Sequence, residues 1–328
     1  MDADWTPSGR KHTCGQQLIT YSCHRSGVSG VRCGRMGNTA IPHPMPEPTR
    51  NGYSTVEVVP ETQPAQQRRA MMDPMNSKAA MTTTLTTTDG VPISAHHDPG
   101  PPSLGIVVAH GLTGSWRRSS IRRAAQALQQ TGGVISFDFR GHGRSGGHST
   151  VGDREVLDLA AAVGWARKLG YRRVATVGFS MGAAIAIRHA GLHSDDLAAV
   201  VAISGPSRWF YRDTVAMRRV HWLLEKRLGR MTSRVVLRTR ISAAGWEPIP
   251  VPPDVAVAKI APTPLLVVHG DTDRLFPVEH AHALYAAAGE PKELWIEPGF
   301  GHAEAAAPAE LLHRIGDWLT ARITPPRS

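Results

Sequence analysis

Five short apolar runs recur along the chain: SLGIVVAH (103–110), GVISFDF (133–139), VATVGFS (174–180), LAAVVAISG (197–205) and PLLVVHG (264–270). Stretches with helical spacing separate several of them, notably SSIRRAAQALQQ, EVLDLAAAVGWARKLG and MGAAIAIRHAG. A strand that reads as unbroken apolar sequence is covered on both faces, and strands alternating with helices imply a parallel sheet between two helical layers. The pattern continues with KELWIEP (292–298) as a further strand and AHALYAAAG and PAELLHRIGDWLTAR as helices. TTTLTTT and VPISAHH flank Asp89-Gly90, a pair suited to a tight two-residue hairpin loop. The expected architecture is therefore α/β, with about eight mostly parallel strands and helices on both faces.

This pattern occupies 81–328. Residues 1–80 are rich in Gly, Pro, Ser, Thr, Gln and Arg without a sustained apolar period, and burial there cannot offset the entropy of ordering. They are expected to form a disordered tail. All three cysteines, Cys14, Cys23 and Cys33, fall in it, without the close pairs typical of structural zinc sites, so no metal is expected. The absence of cysteine from residue 81 onward fits a reducing compartment. With no apolar run of about eighteen residues and no basic-then-apolar leader, the expectation is a soluble cytoplasmic protein.

The net charge of +10 is unevenly distributed: +3 over 1–80, +4 over 81–205, +7 over 206–262 and −4 over 263–328. A basic balance concentrated in one internal segment argues against a nucleic-acid binder, and no nucleic-acid-binding motif is present.

Two serines sit in a Gly-x-Ser-x-Gly context, Ser145 in GRSGG and Ser180 in GFSMG. The pentapeptide alone is weak evidence in a chain with 32 glycines. Context separates them. An apolar strand runs into Ser180 and a small-residue helix, Gly182-Ala183-Ala184, leaves it, as a sharp strand-to-helix elbow requires. Ser145 lies in FRGHGRSGGHST, a glycine-rich loop with no helix behind it.

A serine hydroxyl needs a base, and the base needs a carboxylate that fixes its tautomer. Asp271 and Asp273 follow the strand PLLVVHG, and His302 follows the last strand in a glycine-rich loop. His280 and His282, two apart in an expected helix, cannot share a face as a metal pair.

Four motifs in order, HGLTGS (110–115), DFRGHGRSGG (138–147), GFSMG (178–182) and HGDTDRLFP followed by GFGH (299–302), make residues 81–328 resemble the α/β-hydrolase family of serine esterases and lipases, in particular lysophospholipase-like and acylglycerol-lipase-like members. The resemblance implies Ser180 as nucleophile, His302 as base and Asp273 as its orienting acid, with Asp271 as the rival. It implies oxyanion donors in the backbone N–H groups of Leu112 and Met181. It makes His110 a hydrogen-bonded structural residue and the DFRGHGRSGG loop a shaping element. Because nucleophile, base and donors come from the chain, no cofactor is required. Epoxide hydrolases and dehalogenases of this family carry Asp where this chain has Ser180. One departure is Ala183, where many relatives have a second glycine.

The nearly sixty residues between the strands ending near 205 and beginning near 264 exceed a plain connection. The resemblance implies a helical cap over about 206–262. Val220, Leu223, Leu224 and Leu228 suggest one apolar stripe, and Gly229 suits a helix end. Ten Lys and Arg side chains between 206 and 240 suggest contact with an anionic lipid or an acidic acyl substrate. The expected partner is a small acyl ester; a thioester, an amide or peptide, or a carbon–carbon bond stays open to the same triad, and ligand binding without turnover is the alternative from another class.

Overall fold

The computed structural model describes residues 79–193 and 197–323. The expected tail lies outside the described residues except for Ala79 and Ala80, and so do all three cysteines. Regular structure starts at β1 (Met81–Thr86), which pairs antiparallel with β2 (Pro92–Asp98). Then follow β3 (Gly105–Ala109), α1 (Ser119–Leu128), β4 (Gly133–Phe137), α2 (Glu155–Lys168), β5 (Val174–Phe179), α3 (Met181–Leu192) and β6 (Ala199–Ile203). After β6 come α4 (Val215–Glu225), α5 (Arg227–Val235) and the short α6 (Pro253–Ala256). The chain ends with β7 (Leu265–Gly270), α7 (Glu279–Ala287), β8 (Lys292–Glu297), α8 (Ala303–Ala306) and α9 (Ala309–Ile323).

The eight strands form one sheet in the order β1-β2-β4-β3-β5-β6-β7-β8. Only β1–β2 and β2–β4 pair antiparallel; every other pairing is parallel. This is the eight-stranded, mostly parallel architecture expected from the sequence. The connection through α1 carries the chain one way from β3 to β4, and the connection through α2 brings it back past β3 to β5. Where strand order reverses, the loops leaving neighbouring strands part and open a crevice at the strand C-termini. The loops after β3 and β5 border that crevice.

The unbroken apolar runs are explained by burial on both faces. Val107, Val200, Ala202, Leu265 and Val267 face a core shared with Leu159 of α2 and Ile185 of α3. Their alternates Ile106, Val108, Val201, Leu266 and Val268 face a second core with Ile121 of α1 and Leu311 and Ile315 of α9. Successive strand residues point to opposite faces. The two layers hold the sheet rigid beneath the loops.

Three local readings are corrected. The first hairpin has a five-residue connection, 87–91, rather than a two-residue loop: Gly90 N–H bonds Thr87 carbonyl and Thr87 N–H bonds Val91 carbonyl. Asp89 in that turn receives two bonds from Arg140 at 2.8 and 3.0 Å, so the turn carries a tertiary contact. Gly229 does not end a helix; it lies inside α5, where a Cβ would stand 2.2 Å from Trp222 carbonyl oxygen. It permits α5 to cross closely over the end of α4. Leu228 accordingly leaves the stripe formed by Val220, Leu223 and Leu224 and is 63% exposed.

Within the segment joining β6 to β7, Ala256, Val257 and Ile260 belong to the core beside α3. Only the part before Pro253 stands away from the sheet's core. Its returning segment is pinned to the DFRGHGRSGG loop by an isolated parallel bridge between Ser149 and Ile241 and by Arg240 bonds to Gly147 and Ser145 carbonyls.

Candidate active site

Ser180 stands between β5 and α3 with φ 51° and ψ −113°, a backbone geometry that residues with a Cβ rarely adopt. Such strain persists only where the surroundings over-determine it. Here they do. A Cβ on Gly178 would lie 2.3 Å from Gly182 carbonyl oxygen, and one on Gly182 would lie 2.3 Å from Ala109 carbonyl oxygen. The two flanking glycines allow the elbow to close, and Ser180 N–H is fastened to Ile203 carbonyl at 2.9 Å.

Ala183, the departure noted in the sequence, has a specific partner. The Cβ that Gly205 lacks would sit 2.9 Å from the Ala183 methyl. Gly205 thus supplies the room that a glycine at 183 would otherwise provide.

The structure brings Ser180, His302 and Asp273 together from the C-terminal ends of β5, β8 and β7. Ser180 Oγ is 2.9 Å from His302 Nε2, and His302 Nδ1 is 2.7 Å from Asp273 Oδ2. With a neutral imidazole, Nδ1–H donates to the carboxylate and the serine hydroxyl donates to Nε2. The other carboxylate oxygen of Asp273 accepts N–H bonds from Leu275 and Phe276 at 2.8 and 3.1 Å, and the side chain is fully buried. His302 is positioned from below by Ala303, whose N–H donates to Ser204 Oγ. Asp271, the rival acid, is exposed and accepts from Gly299 N–H at 2.7 Å, bracing the loop before His302.

Ser145 is engaged elsewhere. Its hydroxyl donates to Asp138 carbonyl and accepts from Ser94 N–H, deep in the loop that follows β4. That loop is organised by the buried Asp138, which accepts from Ser115 Oγ, Trp116 N–H and Arg144 N–H.

The HGLTGS loop after β3 lies against Ser180: a Cβ on Gly111 would be 3.3 Å from the Ser180 Cβ. His110 fixes its base. The imidazole donates from Nδ1 to Gly111 carbonyl at 2.7 Å and accepts Phe139 N–H at Nε2 at 3.1 Å. Complete burial pulls its pKa down to about 3, so the ring stays neutral in this arrangement. Gly111 N–H is taken by Glu304 and Thr113 N–H by His142. Leu112 N–H, between them, donates to no protein acceptor among the described residues. Met181 opens α3, where a first-turn N–H has no intrahelical acceptor.

Glu304 is a site residue that sequence reasoning passed over. It starts two residues after His302 in the short α8, reaches back to Gly111, and its carboxyl is pushed above the ordinary range by burial. An acid in the first turn directly after the histidine was the available signal.

A cavity of about 420 Å³ opens onto Ser180 and His302. Trp209, Met217, Val220, Leu223 and Leu224 wall one side, and Thr113, Arg118, Ser120 and Glu304 border the other. The inward face of α4 therefore supplies an apolar wall facing the serine.

Residues 106–239 match the family model described as the alpha/beta hydrolase fold. With the sheet order above, this match shows that the described residues have the alpha/beta hydrolase fold. Among curated proteins it is similar to YqkD of Bacillus subtilis, 28% identical over 217 residues covering 65% of this chain and 68% of YqkD. It is also similar to Epoxide hydrolase B of Mycobacterium tuberculosis, 35% identical over 121 residues covering 36% of this chain and 33% of that enzyme. The chain thus spans about two thirds of the first relative's length and a third of the second's. Among solved structures, the Pyrococcus furiosus esterase Pf2001 aligns with a TM-score of 0.60 at 27% identity, covering 76% of this chain and 95% of the esterase. No helix among the described residues is long and apolar enough to cross a membrane.

Proposed function

We propose that this chain is a serine-dependent hydrolase of carboxylic esters, working through an acyl-enzyme intermediate. The observation that carries this reading is the unbroken hydrogen-bonded sequence Ser180 Oγ, His302 imidazole and Asp273 carboxylate, with each link at 2.9 Å or less. Ser180 Oγ attacks the ester carbonyl while its proton passes to His302 Nε2. The oxygen gains negative charge, and Leu112 and Met181 N–H groups stabilise it. The tetrahedral intermediate collapses, and His302 returns the proton to the departing alcohol. Water then gives a proton to His302 and attacks the acyl carbon; collapse frees the carboxylic acid and restores the Ser180 hydroxyl. Asp273 holds the tautomer and stabilises the transient imidazolium.

The segment between Gly205 and Pro253 acts as a cap, and its inward wall favours an apolar acyl chain. A cavity of about 420 Å³ is of the size that encloses small ligands and supports a medium-chain acyl ester of the lysophospholipid or acylglycerol kind. The likeness to the Pyrococcus furiosus esterase supports ester cleavage. Ser180 at the elbow disfavours the epoxide chemistry of the similar Epoxide hydrolase B, since epoxide opening in this fold family uses a carboxylate there.

Hydrolysis of p-nitrophenyl esters of graded chain length tests the reading. Wild type turns them over and Ser180→Ala falls by about 10³-fold or more. Equal rates for the two proteins, or no turnover of any chain length, would overturn it.

A further inference from the structure

The outward face of the two cap helices is built unlike the rest of the surface. Of the twelve large hydrophobic side chains exposed among the described residues, ten lie between Phe210 and Val255. On α5 they are Leu228, Met231 and Val235, at 63%, 62% and 75% exposure. Their spacing of three and four residues puts them on one stripe. Gly229 and Ser233, on the opposite side, are the buried residues of this helix, so the apolar stripe is the one that faces solvent. This reverses the usual polarity of a surface helix, in which the apolar stripe faces inward. α4 keeps the usual polarity, with Met217, Val220 and Leu224 on the cavity, but its outward side exposes Val215 and Trp222 together with Arg218 and Arg219.

Cations flank both stripes. Residues 206–240 contain ten Lys and Arg against two acids, Asp213 and Glu225. Glu225 is taken by Arg212 and His221, and Asp213 stands by Arg208. Among the described residues Arg219, Lys226, Arg227, Arg234 and Arg238 have no carboxylate partner. On α5, Arg227 and Arg234 project beside the apolar stripe. Exposed apolar side chains interleaved with unpaired arginines match a lipid–water boundary, where the former enter the acyl region and the latter meet phosphate.

We propose that the outward face of α4 and α5 docks on an anionic lipid bilayer. The apolar stripe sets the choice of a bilayer over a soluble anion, because a free anion would leave Leu228, Met231 and Val235 in water. Docking would place the cap, whose inner face walls the cavity, against the source of acyl esters. The binding itself is independent of the catalytic reading, so Ser180→Ala is expected to dock like wild type.

The test is sedimentation of the full chain with vesicles of phosphatidylcholine alone or mixed with phosphatidylserine, at low and high salt. The expected result is binding to the mixed vesicles only, weakened by salt. R219E/R227E/R234E lowers partitioning by about 100-fold or more, and L228S/M231S/V235S by at least about tenfold. Both variants keep the wild-type melting temperature and turnover of a soluble short ester; the single substitution M231D serves should either triple variant fold poorly. Absence of binding to anionic vesicles at low salt overturns the proposal. So does binding unaffected by these substitutions, or a dimer abolished by L228S/M231S/V235S in a protein that ignores vesicles.

Discussion

The contact between Gly205 and Ala183 makes a sharp prediction about how the elbow is packed. Gly205→Ala places a methyl 2.9 Å from the Ala183 methyl, well inside the roughly 3.5–4.0 Å at which carbon atoms rest. The other two nearby atoms are at 3.9 Å, so this single clash accounts for the whole penalty. Overpacking of this kind costs about 1–3 kcal/mol. Ala183→Gly alone costs about 1–2 kcal/mol through lost helix propensity and a lost buried methyl. In the double variant the methyl at 205 fills the space left at 183, so Gly205→Ala costs close to nothing there. The cycle therefore yields a coupling energy of about 1–3 kcal/mol, read from urea denaturation of the four proteins. In melting temperature, each kcal/mol corresponds to about 2–4 °C for a body of this size. Additive effects within about 0.5 kcal/mol would show that the penalty does not come from this contact.

Two more outcomes follow from the site's surroundings. Asp273→Asn, whose remaining oxygen is held by Leu275 and Phe276 N–H, turns an amide donor toward His302 Nδ1 and lowers ester turnover by about 10³–10⁴-fold, whereas Asp271→Asn, on the exposed loop brace, stays within about threefold of wild type; the reverse order in a p-nitrophenyl ester assay would move the acid to Asp271. His110 and His280 are buried and neutral, with pKa values pulled down by burial to about 3 and about 4, against 6.5 in the unfolded chain. Between those values the unfolded chain binds the extra protons, so stability rises with pH up to about 6.5 and declines on acidification, by about 2 kcal/mol per histidine from pH 7 to about pH 5. His280→Asn, which keeps an acceptor for Ser207 N–H, flattens that slope by one histidine's share in urea titrations at the two pH values; an unchanged slope would exclude His280 as a contributor.

Much of the fold was legible because its signals are local. Double-sided burial leaves unbroken apolar runs, and all of β3 to β7 follow from them. The elbow was legible because its steric demands fall on residues adjacent to Ser180. The hairpin loop was misread because Asp89 is drawn to Arg140, a partner fifty-one residues away that no local propensity encodes. Gly229 was misread because its role is close approach to Trp222 rather than chain reversal. Leu228 was placed in the inward stripe by spacing alone; the break between α4 and α5 at Lys226 turns it outward. Glu304 was passed over because its function depends on Gly111, brought near only when the loops after β3 and β8 meet at the sheet's C-terminal edge.

On the proposed mechanism Ser180 alone among the serines is poised for attack, through its contact with His302. Labelling the folded protein with a fluorophosphonate and mapping the adduct by mass spectrometry examines that claim directly. A single adduct on Ser180, absent from Ser180→Ala and formed far more slowly in His302→Ala, is the expected outcome. An adduct on Ser145 or another serine, or a folded protein that takes up no label, would contradict it.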